Sequence, residues 1–165
     1  MRGYGPVTLD QLGRWWNGNG ARQGRRMLPE LADEVIEVDV DGTPAWLLAA
    51  DLPELLRATP PNAARLLPAF DPWVAGGPRD VPTLLPPDRH AEVYRPQGWL
   101  SPVILVNGQI AGIWKHTRKG QRLLIDLTPF APLPAWACDQ IEAEALRLAS
   151  FLDTTPSIEW TTGNG

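Results

Sequence analysis

The sequence predicts an α+β protein in two parts: an incomplete helix-turn-helix carrying a hairpin, then a small antiparallel β-sheet or β-barrel-like domain with a C-terminal helix. Three observations lead there. Apolar residues recur at helical spacing twice near the start, before any strand pattern appears. The turn pairs Asp41-Gly42 and Asn107-Gly108 each separate two runs that read as strands. A last apolar stripe of Cys138, Ile141, Ala145, Leu148 and Leu152 then repeats at helical spacing.

In the first part, Thr8-Leu9-Asp10-Gln11 has the form of a capping box, and Leu12, Trp15 and Trp16 carry the helix to about Asn17. Asn17-Gly18-Asn19-Gly20 breaks it. A second helix, expected from Ala21 to Ala32, sets Met27, Leu28 and Leu31 against Arg22, Arg25 and Arg26 on the other side. Ile36, Val38 and Val40 alternate with Glu37, Asp39 and Asp41 in a strand that turns at Asp41-Gly42 and returns through Ala45 to Leu48. Helix, turn, helix and hairpin in this order make a winged-helix arrangement over 1–58, lacking the usual first helix. Leu12, Trp15 and Leu28 are therefore expected to want a packing partner from a missing N-terminal segment or a second chain.

Asp51 to Ala58 reads as one more short helix, and the boundary falls near 59, where Thr59-Pro60-Pro61 begins a β-rich domain over 59–165. Asp71 to Asp88 reads as a Pro-rich linker or irregular loop layer. Pairing Val106 with Gln109 puts Val103, Leu105, Ile110 and Trp114 on one face and Ile104, Val106, Ala111 and Ile113 on the other. Both faces are apolar, so the hairpin should be covered on both sides or lie in a closed or strongly curved sheet. Arg122 to Leu127 returns after a turn at Arg118-Lys119-Gly120, Pro134 opens the last helix, and Ser157 to Trp160 forms a last strand before the polar tail Thr161 to Gly165. Trp46, Trp73, Trp99, Trp114 and Trp136 sit in apolar contexts and are expected in the core.

The chain has 165 residues, 44% of them hydrophobic, enough for one medium core or two small ones. No apolar run nears the roughly 20 residues of a membrane span, and the start lacks a signal peptide's apolar stretch. A soluble cytoplasmic protein is expected. The single Cys138 excludes an internal disulfide, and neither His90 nor His116 has metal-ligand spacing, so no metal or cofactor is expected. Thirteen arginines against two lysines, with abundant Ala, Pro and Gly, fit a high-GC bacterial genome.

The net charge of −4 hides a segregation. Gln11 to Pro29 holds Arg14, Arg22, Arg25 and Arg26 with no acid, and Lys115 to Arg122 holds Lys115, Arg118, Lys119 and Arg122 with none. Without those eight, the chain has seven basic side chains against nineteen acidic ones, a balance of −12. Solubility alone does not account for that pattern, so Lys115, His116, Arg118, Lys119 and Arg122 are candidate contacts to DNA phosphates, and Arg22, Arg25 and Arg26 a candidate recognition-helix set. Against the second set stands an acidic wing: Asp33, Glu34, Glu37, Asp39 and Asp41 would repel a DNA backbone. Asp71 before Pro72 reads as a turn former, Arg79 and Asp80 as a local pair, and His90 and His116 as surface residues without an acid-base partner.

YGPVTLDQLGRWW (4–16), LLPAFDPWVAG (66–76) and GWLSPVILVNGQIAGIW (98–114) resemble, in order, landmarks of the AlkZ-like winged-helix proteins, some of which excise alkylated or crosslinked bases from DNA. The resemblance implies tandem winged helices ending in a small β-rich domain, of which this chain would supply the last winged helix and that domain. It also implies a catalytic Gln-x-Gln or Gln-x-Asp pair in earlier winged helices. No such motif occupies a corresponding place here, and neither Gln109 nor Gln121 is assigned the role, so no catalytic residue is expected in this chain. Three readings follow: a module binding double-stranded DNA with little sequence specificity, a DNA glycosylase whose catalytic part lies on a missing N-terminal segment, and a non-DNA interaction domain. Under the first, the protein is nucleoid-associated.

Overall fold

The computed structural model describes residues 3–17, 20–31 and 33–161. The expectations for Gly18, Asn19, Ala32 and the last four residues of the tail lie outside them. The chain divides into two compact units, Met1–Thr59 with Gly76–Pro78, and Pro60–Ala75 with Arg79–Gly165.

In the first unit, α1 (Leu9–Asn17) begins at the expected capping box: the Thr8 N–H donates to Gln11 Oε1 at 2.9 Å and the Gln11 N–H to Thr8 Oγ1 at 3.2 Å. These two bonds satisfy donors that a helix start otherwise leaves open. α2 (Gly20–Met27) continues as a 3-10 turn over Leu28–Leu31, shorter than expected because Pro29 cannot donate to an α-helical ladder. The helices meet backbone to backbone at Gly13 and Gly24, where a Cβ on Gly13 would strike the Gly20 carbonyl and one on Gly24 the Leu9 carbonyl. Leu12 is buried and Leu28 partly so, while Trp15 remains 54% exposed. Two glycines let the backbones approach so closely that this short pair closes over its own leucine.

β1 (Val35–Val40) pairs antiparallel with β2 (Thr43–Leu48) through the Asp41-Gly42 turn, whose φ values are 51° and 81°. Ala45 and Leu47 are buried, yet Ile36 and Val40 are exposed, so the alternation gives the strand without giving its apolar face a full cover. A 3-10 turn at Ala49–Asp51 leads into α3 (Leu52–Leu55), the expected short helix.

The second unit is built on a five-stranded sheet in the order β3-β4-β5-β6-β7. β3 (Ala64–Leu67) lies between the Thr59-Pro60-Pro61 boundary and the Pro-rich stretch, where the sequence offered no strand pattern. It is fastened by main-chain pairing with β4 (Val103–Val106) and by Gln140, whose Oε1 accepts from the Ala64 N–H at 2.8 Å while its Nε2 donates to the Asn62 carbonyl at 3.0 Å. Between β3 and β4, the Pro-rich stretch contains α4 (Pro72–Gly76) and is followed by α5 (His90–Val93). β5 (Gln109–Lys119) and β6 (Arg122–Pro129) follow, then α6 (Ala135–Phe151) and β7 (Thr155–Trp160).

The Asn107-Gly108 turn forms as expected, with φ values of 50° and 81° and Val106 opposite Gln109. The register then shifts between Ile104 and Leu105, so that Ile104 faces Gly112 and Val103 faces Ile113. One extra residue in β5 exchanges the faces beyond it. Trp114 therefore joins Ile104 beneath α6 and Ile113 joins Val103 on the opposite side, which corrects the regular register read from sequence. Both faces are covered as expected, one by α6 and the other by Val74, Leu85 and Val93 from the loop layer.

β7 runs parallel to β6, so the sheet is mixed rather than antiparallel, and its open order excludes a closed barrel. The cause is connectivity: α6 carries the chain back along the sheet, as a crossover between parallel strands must. Ala137, Ile141, Ala145 and Ala149 form the buried edge of α6, one position earlier than Cys138 in the predicted stripe, with Leu148 and Leu152 beside them. Three alanines let the helix lie close to Leu123, Ile125 and Leu127, all fully buried, each contributing about 1.5–3 kcal/mol on removal from water.

Candidate nucleic-acid interface

The basic segment from Lys115 is mostly strand. β5 continues through Lys119, and the turn is Gly120-Gln121, one residue later than expected, because Lys119 pairs with Arg122. β4 stops pairing with β5 near Ile113, the last main-chain bond being the Trp114 N–H to the Pro102 carbonyl at 3.1 Å. From Lys115 to Lys119, β5 pairs with β6 alone among the described residues. Lys115 through Arg122 are all exposed.

Register sorts these side chains. Lys115 faces Asp126, Thr117 faces Leu124 and Lys119 faces Arg122 on one side of the ribbon, while His116 faces Ile125 and Arg118 faces Leu123 on the other. The five candidate residues are therefore gathered on one β-hairpin but divided between its faces. Lys115 is partly neutralised, its Nζ 3.4 Å from Asp126. The imidazole of His116 stacks on the indole of Trp114 with centroids 5.5 Å apart, and that buried indole donates from Nε1 to the Leu67 carbonyl at 2.8 Å. A surface histidine thus stands on a fixed ring, a partner the sequence did not reveal. Arg118 donates to the Gly120 carbonyl at 3.1 Å, stiffening the turn.

Lys119 and Arg122 are directly opposed with no ion-pair partner among the described residues. Such like-charged neighbours destabilise a ladder unless an anion lies between them or high-dielectric water screens them. Cations on an unpaired edge also deter pairing with another strand.

Arg22, Arg25 and Arg26 fall in α2 and are all exposed, Arg25 and Arg26 lying three and four residues after Arg22, the spacings of neighbours on a helix surface. In the same unit Asp33, Glu34, Glu37, Asp39 and Asp41 are exposed as well. Asp71 behaves as the turn former expected, its Oδ1 accepting from the Trp73 N–H at 2.9 Å. Arg79 lies over the Tyr94 ring at 4.8 Å, and His90 stacks on the same tyrosine at 4.7 Å. Tyr94 donates to the Val74 carbonyl at 3.3 Å, and burial pushes its phenol above the ordinary range, opposed by Arg79 and reinforced by Asp80. A hollow of about 340 Å³ is lined by Asn62, Arg65, Gln140 and Arg147; Gln140 there is spent on β3, and Arg147 pairs with Glu144. Among the described residues no cluster of His, Cys, Asp or Glu is arranged to hold a metal ion, and no helix is long and apolar enough to cross a membrane.

The chain belongs to the AlkZ-like DNA glycosylases: the family described as DNA glycosylase AlkZ-like matches residues 1–151. It is 32% identical over 148 residues to the interstrand DNA cross-link repair glycosylase of Streptomyces sahachiroi, covering 88% of this chain and 39% of that protein. The solved structure of Streptomyces sahachiroi DNA glycosylase AlkZ is similar with a TM-score of 0.78 and 31% identity, over 95% of this chain and 42% of that one. The chain spans about two fifths of the length of these relatives.

Proposed function

We propose that this chain is a DNA-binding module of an AlkZ-like repair protein, with a winged-helix-like domain over 1–58 and a β-rich domain over 59–165. It engages double-stranded DNA through Lys115, His116, Arg118, Lys119 and Arg122, with Arg22, Arg25 and Arg26 as a second set of phosphate contacts. The observation that carries this reading is the opposed Lys119-Arg122 pair at the tip of a ribbon already bearing Arg118, in a chain otherwise strongly acidic. Phosphate oxygens between such cations would remove their repulsion. Contacts of this kind give affinity and orientation with little sequence preference.

Fluorescence anisotropy with a labelled duplex at low and moderate salt tests it. Binding should weaken as salt rises and fall at least several-fold in the Arg118→Ala/Lys119→Ala variant. Salt-insensitive binding, or binding indifferent to that variant, would sink the proposal.

A second reading is favoured by the coverage of the relatives. In that reading the chain is part of a DNA glycosylase for alkylated or crosslinked bases whose catalytic part lies on a segment outside these 165 residues, in keeping with its covering 39% of the cross-link repair glycosylase it resembles. Incubating the chain alone with a crosslinked duplex should release no base. Release would place the catalytic groups within these 165 residues.

A further inference from the structure

We propose that Phe70, Trp99 and Arg95 form a stacking site for an unpaired nucleobase, with Arg95 meeting the adjoining phosphate. The sequence suggested a core tryptophan, yet Trp99 is 55% exposed and Phe70 47%, and their rings meet edge to face with centroids 5.0 Å apart at 82°. Exposure here is fixed by the backbone. Phe70 has a φ of 59°, in the left-handed region that a bulky side chain rarely enters. Gln97 and Gly98, at φ values of 63° and 76°, make the tight loop on which Trp99 stands. A hydrogen bond from the Arg95 N–H to the Trp99 carbonyl at 2.8 Å closes that loop, and Tyr94 bridges to Leu100 just below it.

This closure sets Arg95 opposite Trp99 across the neck of the loop. Arg95 is exposed and has no ion-pair partner among the described residues, and Asp71, next to Phe70 in the chain, is engaged with the Trp73 backbone. Two unfavoured loop conformations holding two aromatic rings in water mark a functional surface rather than a packing one. The occupant must offer a flat π surface and a negative charge. A nucleotide with its base out of the duplex does both, whereas a paired base buries its faces in the stack.

The inference rests on the DNA-binding reading for the source of the base but not on the hairpin that carries that reading, so the two can fail separately. The full chain is titrated by anisotropy against a perfect duplex, the same duplex with a one-nucleotide bulge, and a single strand. The wild type should bind the bulged duplex about ten-fold more tightly than the perfect one, the weight of roughly one stacked base. Trp99→Ala should erase the difference while leaving perfect-duplex affinity unchanged, and Trp99→Tyr should keep most of it. Arg118→Ala/Lys119→Ala should weaken both duplexes alike and preserve the preference. A wild type without preference, or a Trp99→Ala variant that weakens both duplexes equally, overturns the stacking site. Single-strand binding sensitive to Trp99→Ala, with no duplex binding at all, upholds stacking and overturns the hairpin. Binding to none of the three probes overturns both.

Discussion

Asn107 performs two tasks with one side chain. At a φ of 50° it occupies the first central position of the hairpin turn, and its Oδ1 accepts from the Ala63 N–H at 3.0 Å, tying β3's approach to the β4-β5 turn. Asn107→Ala should cost about 1–2 kcal/mol, from the left-handed backbone and the lost bond together, read as a lower urea midpoint with unchanged slope. An unchanged midpoint would mean that the turn carries no such weight. Tyr94 gives a pH-dependent expectation. Its phenol is raised chiefly by burial, so the unfolded chain gives up this proton first as pH rises. The stability linked to it is complete below the unfolded tyrosine pKa near 10 and is lost as pH climbs through the raised folded value. Tyr94→Phe should therefore flatten the alkaline fall in melting temperature, whatever it costs at neutral pH through the bond to Val74. Residue types showed the Asn107-Gly108 turn and the Thr8 cap because both depend on local chemistry. They misplaced Trp99 among core residues because the left-handed positions of Phe70 and Gln97, which decide its exposure, leave no mark in composition.

Between elements, the closest approach in the first unit is set by glycine. Alanine at an open helical position is about 1 kcal/mol better than glycine, so Gly24→Ala would stabilise α2 if the helix stood free. Against the Leu9 carbonyl the added methyl has no room, and the variant should instead lose about 1–3 kcal/mol as α1 and α2 are forced apart. The sign of the change in thermal midpoint decides between the two. Helix periods, strand alternation and Asp-Gly or Asn-Gly turns were legible for α1, α6, β1, β2 and the β4-β5 hairpin, since each is written in a short window. Other features depend on distant chain. β3 is a four-residue strand defined by Val103 to Val106 and by Gln140, and β7 is parallel only because α6 returns the chain. The shift at Ile104/Leu105 is marked locally only by Gly112, a glycine inside a strand, yet it decides that Trp114 faces the helix and holds His116.

At the scale of the molecule, charge segregation was plain in the sequence, and the hairpin turned a basic segment into a ribbon with defined faces. What the sequence lacked was the division of that ribbon: Lys115 is drawn to Asp126, leaving Arg118, Lys119 and Arg122 as the cations most available to an anion. Counterion release makes this countable. Each neutralised phosphate contributes a slope of about −0.9 to log K against log salt. If those three bind phosphate together with Arg22, Arg25 and Arg26, the slope should be about −5, and Arg118→Ala/Lys119→Ala should bring it to about −3.5. Neutralising Arg22, Arg25 and Arg26 should remove about half of the full slope. A full slope near −3, untouched by those arginines, would confine DNA to the hairpin and leave the acidic side chains of the same unit as the reason that helix is excluded. A slope indifferent to the hairpin variant would remove the ribbon from the interface, because log K loses its dependence on salt only where no phosphate is met.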